Sequence, residues 1–295
     1  MKKSYFNIDT NASIFNELEH THGWWDTLKN DPDLYINVRK DNRINVYYRG
    51  ASIMNLSHSR NAFKALIHNY YLGVDKGTSA IYGDIELSPE DIVSKLSLIK
   101  ERVLLNTKYK GKIETNGNYA ESSSEKFIQS EIYKQGNYID TEFALELEDE
   151  NKTDIRIDLV KINDKGQIQF VELKRVSDDR LTPKDGEDAE IITQMQSYTR
   201  FLKEAQELSD KEGYDVITKY YTDILCIMTK IGILPQHLPT TKITEVNNNV
   251  ELLITRYNKR DRYDRRLQRL ETIEKICSNV KSNIADVIAA YKNLD

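Results

Sequence analysis

The stretch that decides the fold is TDIRIDLVKINDKGQIQFVELKR, residues 153–175. Two of its runs, 155–162 and 168–171, alternate apolar and polar residues on either side of a polar break that contains Gly166. Alternation with a period of two is typical of β-strands, and glycine supplies the positive φ that a tight turn needs. The sequence therefore predicts a β-hairpin.

The predicted hairpin collects three ionisable side chains. Glu172 and Lys174 are two apart near the end of the second strand, so they point to the same face. Folding about the turn brings Asp158 of the first strand close to both. Carboxylate oxygens suit Mg²⁺ or Mn²⁺, whose bound waters can be activated or exchanged for phosphate oxygens. The alternative is a solvated hairpin whose Glu172 and Lys174 simply point outward.

An acid on one strand, a turn, and Glu-x-Lys ending the next strand together resemble the PD-(D/E)xK nuclease superfamily. Here the pattern is Asp158 followed by Glu172-Leu173-Lys174, with Ile157 where the family has a proline. The resemblance implies that Asp158, Glu172 and the Leu173 carbonyl ligate the metal. It further implies that Lys174 orients the attacking water or helps to deprotonate it.

The same resemblance implies an α/β fold with a restriction-endonuclease-like core, in which helices flank a mixed central sheet. An N-terminal α+β region and a C-terminal helix would be added to this core. We expect three regions: residues 1–115, of unknown role; the nuclease-like core, 116–235; and a C-terminal strand and helical extension, 236–295.

A helix is predicted to begin at Ser122, which forms a Ser-x-x-Glu capping box with Glu125. Glu125 shares a stripe of this helix with Ile128 and Ile132. In the family that the chain resembles, a glutamate on the first core helix often completes the metal shell, which makes Glu125 a candidate ligand. The alternative is that Glu125 only caps its helix.

The helix predicted over residues 187–211 contains Gln194 and Tyr198, which lie four apart and so share a face. Gln-x-x-x-Tyr resembles an element of the RecB-type and lambda-exonuclease-like branch, where the pair lies beside the active site and holds nucleic acid or catalytic groups. The alternative is an exposed glutamine and a core tyrosine. Arg156, two before Asp158, should face the same way and contact phosphate, or pair with Glu172 or Asp154.

Residues 259–269, KRDRYDRRLQR, are the most basic stretch of a chain whose net charge is −5. Arg265 and Arg269, with Arg262 and Arg266, fall at helical spacing and would form one phosphate-tracking ridge. The alternative is a solvated helix start with internal Asp–Arg pairs.

Periodicity predicts further elements outside the core motif. Helices are expected around 61–72, from Ser88 and over 261–294; strands are expected over 33–48 as a hairpin, 138–147, 220–229 and 250–257. The run 220–229 is expected to be a buried strand beside the strand that ends in Glu-x-Lys. In the hairpin, the residues expected to be buried are Ile36, Val38, Ile44, Val46 and Tyr48.

Composition bounds the class of protein. The 295 residues, 30% charged, contain no apolar run long enough for a transmembrane helix, and the N-terminus has no apolar segment of a secretory signal. Two cysteines without metal-ligand spacing fit a reduced, cytoplasmic setting.

We expect a metal-dependent nuclease that hydrolyses DNA in preference to RNA, in a bacterial defence, mobile-element or repair system. The alternative is a nucleic-acid-binding or assembly protein on the same fold with weak or no cleavage. A third interpretation makes the N-terminal region an interaction module that recruits the nuclease to a partner protein or forms a homo-oligomer.

Overall fold

A computed structural model describes residues 6–20, 22–77, 82–115, 117, 119–120, 122–146, 154–175, 177–184, 186–255 and 263–280. The chain is mixed α/β, with two sheets and several helices. The strands are β1 Leu34–Arg39, β2 Arg43–Tyr48, β3 Ala51–Ser59, β4 Ala62–His68, β5 Asp84–Leu87, β6 Tyr138–Glu146, β7 Asp154–Ile162, β8 Gln167–Arg175, β9 Glu245–Val246 and β10 Glu251–Thr255. The helices are α1 Ser13–Leu18, α2 Gly23–Lys29, α3 Pro89–Ser94, α4 Leu96–Leu105, α5 Glu125–Lys134, α6 Glu190–Glu212, α7 Val216–Lys230 and α8 Tyr263–Val280.

The first sheet is an antiparallel meander of β1 to β5 in sequence order. The hairpin predicted over 33–48 is confirmed as β1 and β2, and the five residues expected to be buried are buried.

The helix predicted around 61–72 is wrong, because β4 and a 3₁₀ turn, Asn69–Leu72, occupy that stretch. Arg60 and Asn61 both have positive φ, 51° and 60°, which closes a tight turn between β3 and β4. Within β4, Ala65 and Ile67 are buried whereas Leu66 is exposed, so the stretch has the period of a strand. Residues 62–68 therefore form a strand paired with β3, although their apolar spacing also fits a helix.

The helix predicted from Ser88 is present but broken into α3 and α4 at Lys95. Ser88 caps α3, its side chain accepting from the Asp91 N–H at 3.1 Å.

The second sheet has the order β10-β8-β7-β6, with β9 also paired to β8. The predicted hairpin is confirmed as β7 and β8, and Gly166 in its turn has φ of 79°. A Cβ at Gly166 would lie 2.2 Å from the Lys242 carbonyl oxygen, so both the turn and its neighbour require glycine.

Strand β10 pairs with β8 in parallel, which makes the sheet mixed. The strand predicted over 220–229 is wrong, because these residues lie in α7. Tyr221, Ile224, Leu225 and Met228 are buried at spacings of three and four, and the Asp215 side chain accepts from the Thr218 N–H at 2.6 Å to begin the helix. The position beside β8 belongs instead to β10, which matches the strand predicted over 250–257.

One apolar core joins the two sheets and the helices packed on them. Trp25 of α2 is buried and donates its indole N–H to the Ile231 carbonyl at 3.2 Å. An ion pair between the partly buried Arg39 and the buried Asp140 links β1 to β6. Among the described residues, no helix is both long and apolar enough to cross a membrane.

Helices cover both faces of the second sheet. On one face, Val171 and Leu173 of β8 pack with Phe127 and Ile128 of α5. On the other, Phe170 of β8 meets Phe201 of α6, with ring centroids 5.5 Å apart. Because side chains alternate along a strand, Glu172 and Lys174 project on the Phe170 side, under α6. The alternation that defines the hairpin thus also decides which helix faces the candidate residues.

Candidate active site

The candidate site lies where β7 and β8 part. From the turn, their antiparallel ladder runs as far as Leu159 and Val171. The next residue of β7, Asp158, turns its carboxylate toward β8, and the Leu173 N–H donates to Asp158 Oδ2 at 2.9 Å. A side-chain oxygen therefore replaces the acceptor that the ladder no longer supplies, since a buried N–H needs a partner. The structure places Asp158 beside the end of β8, as the hairpin predicts.

The ammonium group of Lys174 lies among three oxygen atoms at this point. It forms an ion pair with Glu172 Oε1, lies 3.1 Å from the Leu173 carbonyl oxygen, and lies 3.9 Å from Asp158 Oδ2. Glu172 and Lys174 are each 1% exposed. A cation of the chain itself thus sits beside the oxygens expected to ligate a metal. The alternative of a solvated hairpin, with Glu172 and Lys174 pointing outward, is wrong.

Gln194 and Tyr198 of α6 hold the carboxylate of Glu172 from the other side. Gln194 Nε2 donates to Glu172 Oε1 at 2.7 Å and to the Tyr198 hydroxyl at 2.6 Å. The Tyr198 hydroxyl lies 2.7 Å from both Glu172 Oε2 and the Arg156 carbonyl oxygen. Both members of the Gln-x-x-x-Tyr pair therefore contact Glu172. Tyr198 is a core residue, as the alternative expects, but Gln194 is only partly exposed and is bonded to Glu172, which the alternative does not explain.

The protonation of this cluster is governed by burial. Burial, together with the charge of Asp158, raises the pKa of Glu172 to about 8, against the opposing charge of Lys174. Burial also raises the pKa of Asp158, and it raises the pKa of Tyr198, with the Glu172 charge adding to the effect. The Tyr198 hydroxyl hence stays protonated and acts as a donor. Positive charge at this point favours the carboxylate forms of both acids.

The donor set has the chemistry of a site for a hard divalent cation. It offers carboxylate oxygens of Asp158 and Glu172 and the backbone carbonyl of Leu173. Within the described residues, no group of three or more His, Cys, Asp or Glu side chains could hold a metal by itself. The candidate site has two carboxylates, those of Asp158 and Glu172, and its third oxygen is the Leu173 backbone carbonyl. The cation that contacts these oxygens in the structure is the Lys174 ammonium group.

Glu125 lies at the edge of this cluster. The cap of α5 is Ser124, whose hydroxyl accepts from the Phe127 N–H at 3.2 Å, so the capping box predicted from Ser122 is wrong. The Glu125 side chain reaches toward β8 instead, where Oε2 accepts a long hydrogen bond, 3.4 Å, from the Arg175 N–H. Burial raises the pKa of Glu125, and the charge of Lys174 opposes that rise. The alternative that Glu125 only caps its helix does not fit these contacts.

Gln129 is a residue of the site that sequence reasoning missed. It is buried on α5, and its Nε2 donates to the Asp158 carbonyl oxygen at 2.6 Å and to Glu142 Oε1 at 2.8 Å. It therefore fixes the backbone of β7 where Asp158 leaves the ladder. The available signal was spacing, since Gln129 lies four residues after Glu125 and shares its face of the helix.

Arg156 is expected to contact phosphate or to form an ion pair with Glu172 or Asp154. The residue is exposed, and its carbonyl oxygen contacts the Tyr198 hydroxyl. In the described part of the chain its side chain forms no ion pair with Glu172, and the Asp154 side chain lies outside the described residues. Contact between Arg156 and phosphate stays a prediction.

The basic stretch does not form the expected ridge. Arg269 of α8 is 1% exposed, and its Nε donates to Thr182 Oγ1 at 3.2 Å. Arg265 is 51% exposed and lies 3.4 Å from Asp179 Oδ1. Arg262 and the side chain of Arg266 lie outside the described residues. Because Arg269 is turned inward against the connection between β8 and α6, its assignment to an exposed phosphate-binding ridge is wrong.

Comparison with protein-family models, with curated proteins and with solved structures finds no match to the chain. The geometry of Asp158, Glu172 and Lys174 is therefore the basis for assigning a function.

Proposed function

We propose that the chain is a divalent-metal-dependent nuclease with a restriction-endonuclease-like core of the PD-(D/E)xK type, and that it hydrolyses DNA phosphodiester bonds. The observation that carries the proposal is the position of the Lys174 ammonium. It contacts Glu172 and the Leu173 carbonyl and faces Asp158 where two strands part. The trio named by the sequence pattern is thus assembled and mutually oriented, with Glu172 and Lys174 buried and Asp158 partly exposed.

The roles follow from the contacts. Asp158, Glu172 and the Leu173 carbonyl would hold Mg²⁺ or Mn²⁺, with Glu125 at the edge as a further ligand. Once bound, the metal would supply a water of lowered pKa and offset charge on the phosphate. Lys174 orients the attacking water and offers positive charge to the phosphate. Gln194 and Tyr198 keep the Glu172 carboxylate in one orientation by contacting both of its oxygens.

The surrounding elements support the proposal. Three consecutive antiparallel strands, β6 to β8, are joined through two helices to a parallel strand, β10, at the far side of β8. Helix α5 covers one face and α6 the other, which gives the mixed sheet flanked by helices that the motif implies.

The complete trio of Asp158, Glu172 and Lys174 favours cleavage over nucleic-acid binding alone. The preference for DNA over RNA comes from the resemblance. A cytoplasmic setting in defence, mobile-element movement or repair, and a partner-recruiting or oligomer-forming N-terminal region, stay predictions.

The test is incubation of the purified protein with linear, circular and single-stranded DNA in Mg²⁺, in Mn²⁺ and in EDTA. We expect cleavage that requires the metal and is lost in Asp158→Asn and Lys174→Met. Matched controls lie in the turn of the same hairpin, where Asp164 and Lys165 are exposed. Asp164→Asn and Lys165→Met make the same chemical changes and should cleave at the wild-type rate. Cleavage by Asp158→Asn at that rate would sink the proposal.

A further inference from the structure

The connection between β8 and α6 carries an arginine that the sequence pattern does not single out. A short 3₁₀ turn, Asp179–Leu181, lies in this connection, and Leu181 is buried in the core. Asp178 caps the turn, its carboxylate accepting from the Arg180 N–H at 2.9 Å. The buried leucine and the cap together fix the backbone from which the Arg180 side chain leaves.

The guanidinium group of Arg180 is held in one plane by Asp178. Nε lies 2.9 Å from Oδ1, and Nη2 lies 2.6 Å from Oδ2. A two-point contact of this kind fixes the direction of the fork and reduces the side-chain entropy lost on binding a further anion. Within the described residues Nη1 makes no hydrogen bond, and the side chain is 40% exposed.

The same guanidinium group faces the candidate site. Nη2 lies 3.8 Å from Glu125 Oε1, across the connection from α5. The hydrogen bonds that Arg180 donates to the Asp178 carboxylate raise the pKa of Arg180, and the charges of Glu125 and Glu172 add to that rise. Lys174, by comparison, is 1% exposed and engaged with Glu172. Arg180 is thus a cation that contacts a site carboxylate and faces solvent at once.

Helix α8 braces the connection from outside. Arg265 lies 3.4 Å from Asp179 Oδ1, and the buried Arg269 donates to Thr182 Oγ1 at 3.2 Å. Lys275 forms an ion pair with Asp188 farther along. The residues on both sides of Arg180 are therefore tied to a helix as well as to the core, which holds the arginine at the mouth of the site.

We infer that Arg180 contacts a phosphate of the bound nucleic acid beside the candidate active site, and that α8 positions it there. The inference rests on the proposed function and names a binding residue for it. The fork of an arginine matches two phosphate oxygens, whereas a lysine supplies one point of charge. Nε and Nη2 are committed to Asp178, so Nη1, which makes no hydrogen bond to the described part of the chain, and the exposed edge of the group remain for the phosphate.

The test compares Arg180→Ala and Arg180→Lys with a matched loss of one positive charge elsewhere. Lys64→Ala serves, because Lys64 lies on the first sheet in an exposed ion pair with Glu86. DNA affinity is measured in EDTA by anisotropy of a labelled oligonucleotide over a series of KCl concentrations. Cleavage is measured as kcat and KM in Mg²⁺, and circular dichroism melting reports folding.

We expect Arg180→Ala to lower kcat/KM by about tenfold or more and to reduce the salt slope of binding by about one unit. Arg180→Lys should keep the slope and recover only part of kcat/KM. Asp178→Asn, which leaves the Arg180 charge in place but removes its two-point partner, should also keep the slope while lowering kcat/KM. Lys64→Ala should match wild type in every measurement.

Two results overturn the inference, and they are distinguishable. If wild type neither binds nor cleaves DNA, the proposed function fails and the inference fails with it. If wild type cleaves and Arg180→Ala matches Lys64→Ala in slope and kcat/KM, the inference alone fails. If Arg180→Ala melts early, the decision falls to Arg180→Lys and Asp178→Asn, both of which keep a cation at residue 180. Wild-type kcat/KM in both variants overturns the inference.

Discussion

The ammonium of Lys174 and the Oε1 atom of Glu172 form an ion pair that is almost entirely removed from solvent. Burial of such a pair carries a desolvation cost that the attraction between the partners offsets only when other polar contacts surround it. Here the second oxygen of Glu172 contacts Tyr198, and the ammonium also contacts the Leu173 carbonyl. The cluster is therefore organised before any substrate binds. Substitution of its members should change stability, metal affinity or turnover.

The first prediction concerns pH and stability without metal. The pKa of Glu172 is raised from 4.5 to about 8 in the folded chain, so the folded state binds more protons between these values. Its contribution to stability is complete below about pH 4.5 and is lost as the pH rises to about 8. Urea unfolding in EDTA across this window should show stability falling with pH, and Glu172→Gln should flatten the fall. Glu187 is exposed, so the control variant Glu187→Gln should leave the fall of stability with pH unchanged. Parallel pH curves for wild type and Glu172→Gln would contradict the assigned shift.

The second prediction concerns metal binding, which is measured by isothermal titration with Mn²⁺. Lys174→Met removes the cation that now lies among the candidate ligand oxygens, so metal affinity should rise by about tenfold or more. Turnover should nevertheless be lost, because the lysine also serves the water and the phosphate. Asp158→Asn should weaken metal binding, and Lys165→Met in the exposed turn should change neither quantity. Unchanged metal affinity in both Lys174→Met and Asp158→Asn would remove the case for a metal at this point.

The third prediction separates catalysis from folding at α6. Gln194 is partly exposed and directs its amide to Glu172, so Gln194→Ala should lower kcat by about tenfold while the melting temperature stays within a few degrees of wild type. Gln196→Ala, on the exposed side of the same helix, is the matched control and should leave both unchanged. A large fall in melting temperature with wild-type specific activity would show that Gln194 acts only through packing.

The parts of the structure that the sequence predicted are those with a local cause. The hairpin follows from alternation and from Gly166, and the position of Asp158 beside Lys174 follows from the hairpin. Gln194 and Tyr198 share a face because they are four apart on a helix long enough to show its period. In each case neighbours in sequence decide the geometry.

The predictions that were wrong depend on contacts between separate elements, which a local pattern does not show. The apolar run over 220–229 fits a buried strand or a buried helix equally well, and only the cap at Asp215 and the packing of α7 distinguish them. Residues 62–68 became a strand because β3 offered a partner. Arg180 and Gln129 escaped notice because their roles depend on which elements meet in space, and Arg269 was misassigned because charge alone does not show burial.

The last prediction follows from that burial and distinguishes two arginines one helical turn apart. Arg269 is 1% exposed and bonded to Thr182, so Arg269→Ala should destabilise the fold by about 1–3 kcal/mol and lower kcat by loosening the connection that carries Arg180. Its effect on the salt slope of DNA binding should be small, because a buried guanidinium releases few counterions from DNA. Arg265 is 51% exposed, so Arg265→Ala should cost little stability, and a phosphate contact there would appear as a slope reduced by about one unit.

Urea unfolding, hydrogen exchange of residues 177–184 and the salt dependence of DNA binding, measured on both variants, separate the two roles. A reduced salt slope with unchanged stability in Arg269→Ala would restore the exposed ridge and remove the bracing role assigned to α8.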